Sequence, residues 1–342
     1  LKPMGVWTSD ERSLLDVARR LDPDGKAAMI AEVLTHYNEI LDDIPFMEGN
    51  LPTGHKTTIR GSLPVPAWRL LNQGVTRTKS TTKQITETCG MLEAYSEVDK
   101  DLAEMATDVS AFRYGEDKAF IEAMGQTMAT TLFYGDTSVT PDRFVGFGPR
   151  YYSLATTVTT YGQIIDCGGT GADNTSIWLV GWNADTCYGI YPKGSKAGLV
   201  QEDLGLQTVY DSSVNPFQAY RSHFQWKAGL CVRDYRYVVR LANIDISDLE
   251  TAGDTSDTSA NLIKYMSKAL DLIPPVGSSK LVFYMNNRVK SMIRVKFLSR
   301  SNTWVTLDNL QGPSGITRPT LNFMGYPIRR VDELAVNEDR IT

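Results

Sequence analysis

One segment of the chain carries no acidic residue, and it restricts the possible folds more than any other feature. Residues 49–86 contain neither Asp nor Glu and are rich in Thr, Ser, Gly and Pro, a composition that disfavours a packed helix. Residues with high β propensity run from 55 to 63 and again from 75 to 88. The segment is therefore predicted to form an extended hairpin loop. Its cations are Lys56, Arg60, Arg69, Arg77, Lys79 and Lys83.

The sign of the charge reverses directly after this loop. Between residues 87 and 108 the single cation is Lys100. Two interpretations stay open at this point: the basic loop of one copy contacts the acidic surface of another copy, or both segments are simply solvated. The residues predicted to form the acidic counter-surface are Glu87, Glu93, Glu97, Asp99 and Asp101.

The first fifty residues predict two amphipathic helices. Thr8 and Glu11 fit a capping box at the start of the first helix, and Asp24 is placed to cap the second. Apolar residues then recur at steps of three and four along one face. Because so short an apolar stripe needs a surface to cover it, the pair is interpreted either as a small helical hairpin or as an arm that docks on a neighbour.

A long helix is predicted to follow Ser110. Small residues along it allow close packing, and Gly135 is predicted to end it in the left-handed conformation. The helix is interpreted as a structural spine, since an apolar stripe of this kind is typical of a core. The stripe consists of Phe120, Ile121, Met124, Met128 and Leu132.

The clearest strand signal lies in the second half of the chain. Apolar residues alternate with others through 223–232 and again through 235–241, which predicts two strands joined as an antiparallel hairpin. Further strands are predicted at 176–182, 187–191, 281–285, 321–324 and 327–331, and helices at 262–270 and 288–298, the last with a basic face. The order of elements predicts an α+β fold.

The residues that carry chemistry form no recognisable site. His36, His55 and His223 are scattered, and the sequence has neither a nucleophile elbow nor a metalloprotease motif. Residues 189–196 resemble a phosphate-binding loop, but their lysines do not follow the second glycine as that loop requires. We therefore expect no catalytic residue, metal or cofactor. The cysteines, predicted to be buried thiols outside any disulfide or zinc site, are Cys89, Cys167, Cys187 and Cys231.

Size and charge exclude other classes. A chain of 342 residues is expected to contain at least two packed regions. Its net charge of −5 disfavours a surface that grips nucleic acid everywhere, so such contact is expected to be local or weak. No apolar run reaches the length of a membrane span. Residues 1–10 lack the pattern of a signal peptide, so synthesis in a cytoplasm is expected.

Several stretches resemble one known family. Residues 173–182 and 188–199 are the most specific of them, and 226–230, 236–245 and 325–332 support the same resemblance. All are similar to the major capsid proteins of short-tailed phages, the gene-product-seven-like family of the epsilon15 type. The resemblance spans nearly the whole chain.

The resemblance implies an HK97-like capsid fold with four parts. Residues 1–49 would form the N-terminal arm, and 50–109 the extended E-loop hairpin with its flanking segment. The peripheral domain, which contains the long spine helix, would comprise 110–136 and 205–244. The axial domain would comprise 137–204 and 245–342.

The family also implies a function. The chain would be a structural protein, not an enzyme, that assembles with itself into hexamers and pentamers of an icosahedral phage head. This head would enclose double-stranded DNA held by weak, non-specific contacts. Scaffold, portal and decoration or cement proteins are the other expected partners, and no membrane is expected. The chain would be made in the host bacterial cytoplasm and would reside in the virion capsid. The alternative is a cellular, encapsulin-like compartment shell.

Overall fold

A computed structural model describes residues 38–105, 108–210, 214–251, 261–274, 277, 279–298, 305–311 and 317–342. Most of the two predicted N-terminal helices, including His36, lies outside these residues. The helices are α1 (Ile40–Asp43), α2 (Lys100–Glu104), α3 (Val109–Tyr134), α4 (Ile246–Thr251), α5 (Leu262–Leu272) and α6 (Asn287–Leu298). None of the described helices is long and apolar enough to span a membrane.

The strands alternate irregularly with these helices, so the predicted α+β class is confirmed. They are β1 (Phe46–Glu48), β2 (Gly54–Ser62), β3 (Thr81–Thr88), β4 (Gly90–Asp99), β5 (Ile164–Asp166), β6 (Asn174–Trp182), β7 (Cys187–Tyr191), β8 (Leu199–Tyr210), β9 (Pro216–Val232), β10 (Val238–Asp245), β11 (Lys280–Met285), β12 (Val305–Gln311), β13 (Thr317–Phe323) and β14 (Tyr326–Arg330).

The chain divides into two compact units. Among the described residues, those within 92–126 and 198–226 form unit 1, and those within 36–91, 127–197 and 227–342 form unit 2. Unit 1 contains a long antiparallel ladder in which β8 pairs with the first part of β9, from Leu199↔Trp226 to Tyr210↔Pro216.

Unit 2 is built on a mixed sheet whose central strands are fully buried. β6 pairs in antiparallel fashion with both β10 and β11, and every residue of β6 and β10 is buried. The sequence of a strand that is covered on both faces is typically a nearly continuous run of apolar residues. The core packs against α5 and α6 and includes Ile177, Leu241, Met266, Phe283 and Ile293.

The predicted hairpin between 223–232 and 235–241 is wrong. Both strands exist, but β9 pairs with β8 and β7, whereas β10 pairs with β6 and, in parallel, with β5. Residues 235–237 form a turn of 3-10 helix, in which the Asp234 side chain accepts a hydrogen bond from the Arg236 amide. Alternation identifies a strand and its faces, but it does not identify the strand beside it.

The predicted left-handed end of the long helix is also wrong. The helix α3 ends at Tyr134 as expected, but the backbone of Gly135 is not left-handed. A glycine is required there for another reason. A Cβ atom at this position would lie 2.4 Å from the Phe144 carbonyl oxygen and 2.6 Å from the Thr131 carbonyl oxygen. Of the predicted stripe, Met124, Met128 and Leu132 are buried, while Ile121 is exposed.

Candidate assembly surface

The acid-free segment forms the predicted hairpin. β2 and β3 pair in antiparallel fashion from Gly54↔Thr88 to Ser62↔Thr81, with an irregularity after Arg60. Hydroxyl groups of Ser62 and Thr81 lie 2.7 Å apart where the two strands end. The intervening residues are not in regular strands, and every residue from 60 to 84 is exposed. We call residues 63–80 the hairpin tip.

The hairpin tip exposes large apolar side chains. Trp68 is fully exposed, at 104% of its reference area, and Leu71 is 90% exposed. Monomeric proteins seldom leave apolar side chains clustered in the solvent, and such clusters mark interaction sites. The exposed apolar residues of the tip are Leu63, Val65, Trp68, Leu70, Leu71 and Val75.

The six cations predicted to contact other subunits all lie on this hairpin. Lys56 and Arg60 are on β2, Lys83 is on β3, and Arg69, Arg77 and Lys79 are in the tip. All six are exposed, and none forms an ion pair with another described residue. Among the described residues, their charges therefore remain open to another partner.

The base of the hairpin is fixed by a buried ion pair. Arg150 donates two parallel hydrogen bonds of 2.7 Å each to the two carboxylate oxygens of Glu87, and it also donates to the Gly146 and Leu230 carbonyl oxygens. Burial lowers the pKa of Arg150, but bonding to Glu87 outweighs that effect and raises it. Because its side chain is only 7% exposed, Glu87 is not available to a second copy, contrary to the sequence-based expectation.

His55 also lies at the base of the hairpin. Its Nε2 is 3.1 Å from the hydroxyl of Tyr188, and its Nδ1 accepts a hydrogen bond of 3.2 Å from the Asn50 amide. Burial and the nearby charge of Arg233 lower the pKa of His55. The ring thus contributes to local structure by joining three segments of unit 2.

The other predicted acidic residues belong largely to unit 1. Glu97 forms an ion pair of 2.9 Å with Arg221, and one Glu93 oxygen lies 3.5 Å from His223. Tyr95, between them on β4, stacks on the His223 ring at 4.5 Å. The structure therefore places both carboxylates beside partners within the chain. The Glu97 side chain is nevertheless 40% exposed and the Glu93 side chain 37% exposed.

Asp99 and Asp101 surround the start of α2. Asp99 caps the helix by accepting a 2.8 Å hydrogen bond from the Asp101 amide, as is usual for an N-cap carboxylate. Asp101 is exposed in the first turn of the helix. Of the five predicted acidic residues, Asp101 is thus the one whose carboxylate is most open to an external cation.

Sequence reasoning missed a buried carboxylate that anchors the start of unit 2. Asp43, whose side chain is 2% exposed, lies 2.6 Å from the Lys280 ammonium group and 3.3 Å from the Arg329 guanidinium group. It also accepts a 3.1 Å hydrogen bond from the Tyr284 hydroxyl. All three partners are more than 230 residues away along the chain, so no local pattern signals the contact.

The described residues contain no cluster of three or more side chains suited to a metal ion. All four cysteines are free thiols, and Cys167, Cys187 and Cys231 are buried while Cys89 is half-buried. Burial raises the pKa of each of these thiols, which disfavours the reactive thiolate. The hairpin, by contrast, combines exposed apolar side chains with exposed cations, and it is the candidate site of this chain.

Comparison with known proteins assigns this architecture. The family model of the major capsid protein GP7 matches residues 22–342. No curated protein matches the chain. A chain in the structure of bacteriophage Epsilon15 is 31% identical with a TM-score of 0.79, and the match covers 99% of this chain and 100% of that one.

Two more distant structures are also similar. The capsid of bacteriophage JBD30 is 10% identical with a TM-score of 0.44, covering 90% of this chain and 99% of that one. The SrpI encapsulin of Synechococcus elongatus PCC 7942 is 10% identical with a TM-score of 0.42, covering 68% and 96%.

The expected HK97-like capsid fold and the expected structural role in a capsid shell are confirmed, because the family match and the Epsilon15 match both extend over nearly the full length. The resemblance of residues 173–182 and 188–199 therefore pointed to the correct group of proteins. This chain belongs to the major capsid protein GP7 family.

Proposed function

We propose that copies of this chain assemble as hexamers and pentamers into an icosahedral phage head that encloses a double-stranded DNA genome. The chain would be made in the cytoplasm of a bacterial host. Family membership supports the shell, and one observation supports contact between copies in particular: the hairpin tip presents six large apolar residues to solvent.

Burial of this tip against a second copy supplies the driving force. Each fully exposed large apolar side chain gains about 1.5–3 kcal/mol when it is removed from water. In a single contact, the loss of translational and rotational freedom costs about 4–15 kcal/mol and offsets most of this gain. Every subunit in a closed shell, however, both donates a tip and receives one. Multivalency then converts many weak contacts into a stable assembly.

The charges of the hairpin would orient this contact. The basic residues Arg69, Arg77 and Lys79 flank the apolar residues in the tip, and a neighbouring copy would present an acidic surface to them. In that counter-surface we retain Asp101, Asp99, Glu93 and Glu97, and we omit Glu87 because Arg150 occupies it. Charge complementarity of this kind contributes mainly to specificity and register.

The remaining parts of the proposal come from the family. Residues 1–49 would serve as an arm, 50–109 as the E-loop with its flank, 110–136 and 205–244 as the peripheral domain, and 137–204 and 245–342 as the axial domain. Scaffold, portal and decoration proteins would be further partners, and the chain would have no enzymatic activity.

Replacing the apolar anchors of the tip tests the proposal. We expect W68S/L71S to fold normally but to form few or no closed shells, because both side chains are almost wholly exposed in the described structure. Circular dichroism measures folding, and sedimentation with negative-stain electron microscopy measures assembly. V139S is the matched control, since Val139 is 78% exposed outside the tip. Normal shells from W68S/L71S would refute the role of the tip.

The alternative, a cellular compartment shell, predicts a different gene neighbourhood. Terminase and portal genes beside this gene would support a virus. A peroxidase or ferritin-like gene in their place would overturn the phage assignment while leaving shell assembly intact.

A further inference from the structure

A second basic surface, unrelated to the hairpin, lies on unit 2. The strand β11 leads into α6 through Asn286, and β14 pairs with β11 in parallel, from Phe283↔Ile328 to Met285↔Arg330. The end of β14 and the start of α6 therefore lie at the same edge of the sheet. Asn286 closes this corner by donating a 2.8 Å hydrogen bond to the Leu334 carbonyl oxygen.

The helix α6 has four cations and no acidic residue in the sequence NRVKSMIRVKFL. Lys290 and Arg294 are separated by four residues, so they share one helix face. Like charges at this spacing repel each other and slightly destabilise a helix. Glu39 compensates this repulsion in part, and an anion bound from outside would compensate the remainder.

Three carboxylates in the neighbourhood neutralise only part of the charge. Glu39 lies 3.9 Å from the Lys290 ammonium group, and Asp332 lies 2.6 Å from Arg330. Arg329 shares Asp43 with Lys280. Arg288 and Arg294 are exposed, and neither forms an ion pair with another described residue, so positive charge remains in excess.

The titration of Lys290 reflects this excess. Burial lowers its pKa most, and the charges of Arg294, Arg329 and Arg330 lower it further, although Glu39 opposes them. Three arginines from two elements are thus close enough to Lys290 to repel its proton. An excess of cations over the carboxylates beside them favours the binding of an external anion.

The chemistry of the surface favours phosphate over a protein partner. Arginine presents a planar fork of donors that matches phosphate oxygens. A stable protein interface needs an apolar or aromatic centre, whereas Val295 is the one large apolar residue exposed on the described part of α6. Arginines at the start and in the middle of α6, together with those at the end of β14, supply donors that fit phosphate oxygens.

We infer that Arg288 and Arg294 on α6, supported by Lys290, Arg329 and Arg330, form a local contact surface for the phosphate backbone of double-stranded nucleic acid. This inference rests on the proposed function, which places such a polymer inside the shell. A basic surface of limited extent also agrees with the net charge of −5, because it holds the polymer locally and weakly.

The test measures binding of a short DNA duplex to full-length, unassembled subunits by fluorescence anisotropy as a function of salt. Each phosphate contact contributes about −0.9 to the slope of log affinity against log salt concentration. R288Q/R294Q should therefore reduce the magnitude of the slope by about 2. The control K193Q/K196Q removes two exposed lysines elsewhere in unit 2 and should leave the slope unchanged. R288K/R294K should retain most of it.

Three results would overturn the inference. The first is that the unsubstituted chain does not bind the DNA duplex. The second is that R288Q/R294Q shows the same salt slope as the unsubstituted chain. The third is that polyglutamate competes as effectively as DNA at equal charge, which would indicate an acidic protein partner. Electron microscopy of shells formed by the same variants tests assembly separately from DNA binding. If the unmodified chain forms no shells, assembly fails, whereas the DNA-binding result on subunits stands independently.

Discussion

At the scale of single residues, buried ion pairs fix segments that are distant in sequence. Arg150 binds Glu87 through two hydrogen bonds, and Arg240 binds Glu338 at 2.9 Å with both side chains 7% exposed. A buried pair of charges stabilises little in total, but loss of one partner leaves the other charge buried and uncompensated. These pairs therefore hold the base of the hairpin and the last residues of the chain in single arrangements.

The Glu87 pair gives a direct test. We expect E87Q to lower the free energy of unfolding by about 3 kcal/mol, because the buried Arg150 loses its counter-charge. The matched variant E97Q removes a partly exposed partner of Arg221, and it should cost less than about 1 kcal/mol. Denaturant unfolding of unassembled subunits measures both. Equal losses in the two variants would contradict the account.

The thiol of Cys89 predicts a pH dependence. Burial raises its pKa to about 11, above the value of about 8.5 for an unfolded chain. The neutral thiol therefore favours the folded state below the unfolded pKa, and this stability is lost as the pH rises toward 11. Alkylation of Cys89 in the folded chain should accelerate up to about pH 11, as measured by mass spectrometry. A plateau near pH 8.5 would show that the thiol is not buried.

At the scale of elements, local patterns predicted what lies close in sequence and missed what lies far apart. The β2–β3 hairpin followed from composition and β propensity, and the strands predicted at 321–324 and 327–331 overlap β13 and β14. Met324 and Gly325, which both have positive φ, make the two-residue turn between these strands. The wrong pairing of β9 with β10 arose because alternation carries no information about long-range neighbours. Arg150 was missed for the same reason, since it lies 63 residues from Glu87.

Gly125 lies within α3 and Gly135 directly follows it. Replacing each with alanine tests whether close packing requires a glycine at that position. G135A should destabilise the chain by about 1–3 kcal/mol, because its Cβ would overlap the Phe144 carbonyl oxygen. Gly125 has no atom within 4 Å of the same position, so G125A should stabilise the helix by about 0.5–1 kcal/mol. Thermal unfolding would reveal the opposite signs, and destabilisation by both variants would argue against this packing.

The charge of the hairpin is tested as one element. The variant R60E/R77E/K79E/K83E should fold normally but fail to form shells, since its hairpin would then repel an acidic neighbour. K193E/K196E is the control, because it reverses two exposed lysines outside the hairpin. Sedimentation velocity separates subunits from shells. Shell formation by the hairpin variant would show that its cations do not direct assembly.

At the scale of the whole molecule, assembly into a shell accounts for the exposed apolar side chains of the hairpin tip. The family match and the full-length match to the Epsilon15 structure establish a capsid protein. The sequence could identify this group because residues 173–199 carry a specific resemblance. It could not show that the hairpin tip exposes its apolar side chains, because exposure is a property of the folded chain.

The most direct measurement is a cryo-electron microscopy reconstruction of particles formed by the full-length chain. We predict a closed shell in which the hairpin tip of each copy lies on a neighbouring copy, with Trp68 buried in the contact. A shell in which Trp68 stays in solvent, or a preparation that contains only single subunits with and without scaffold, would contradict it.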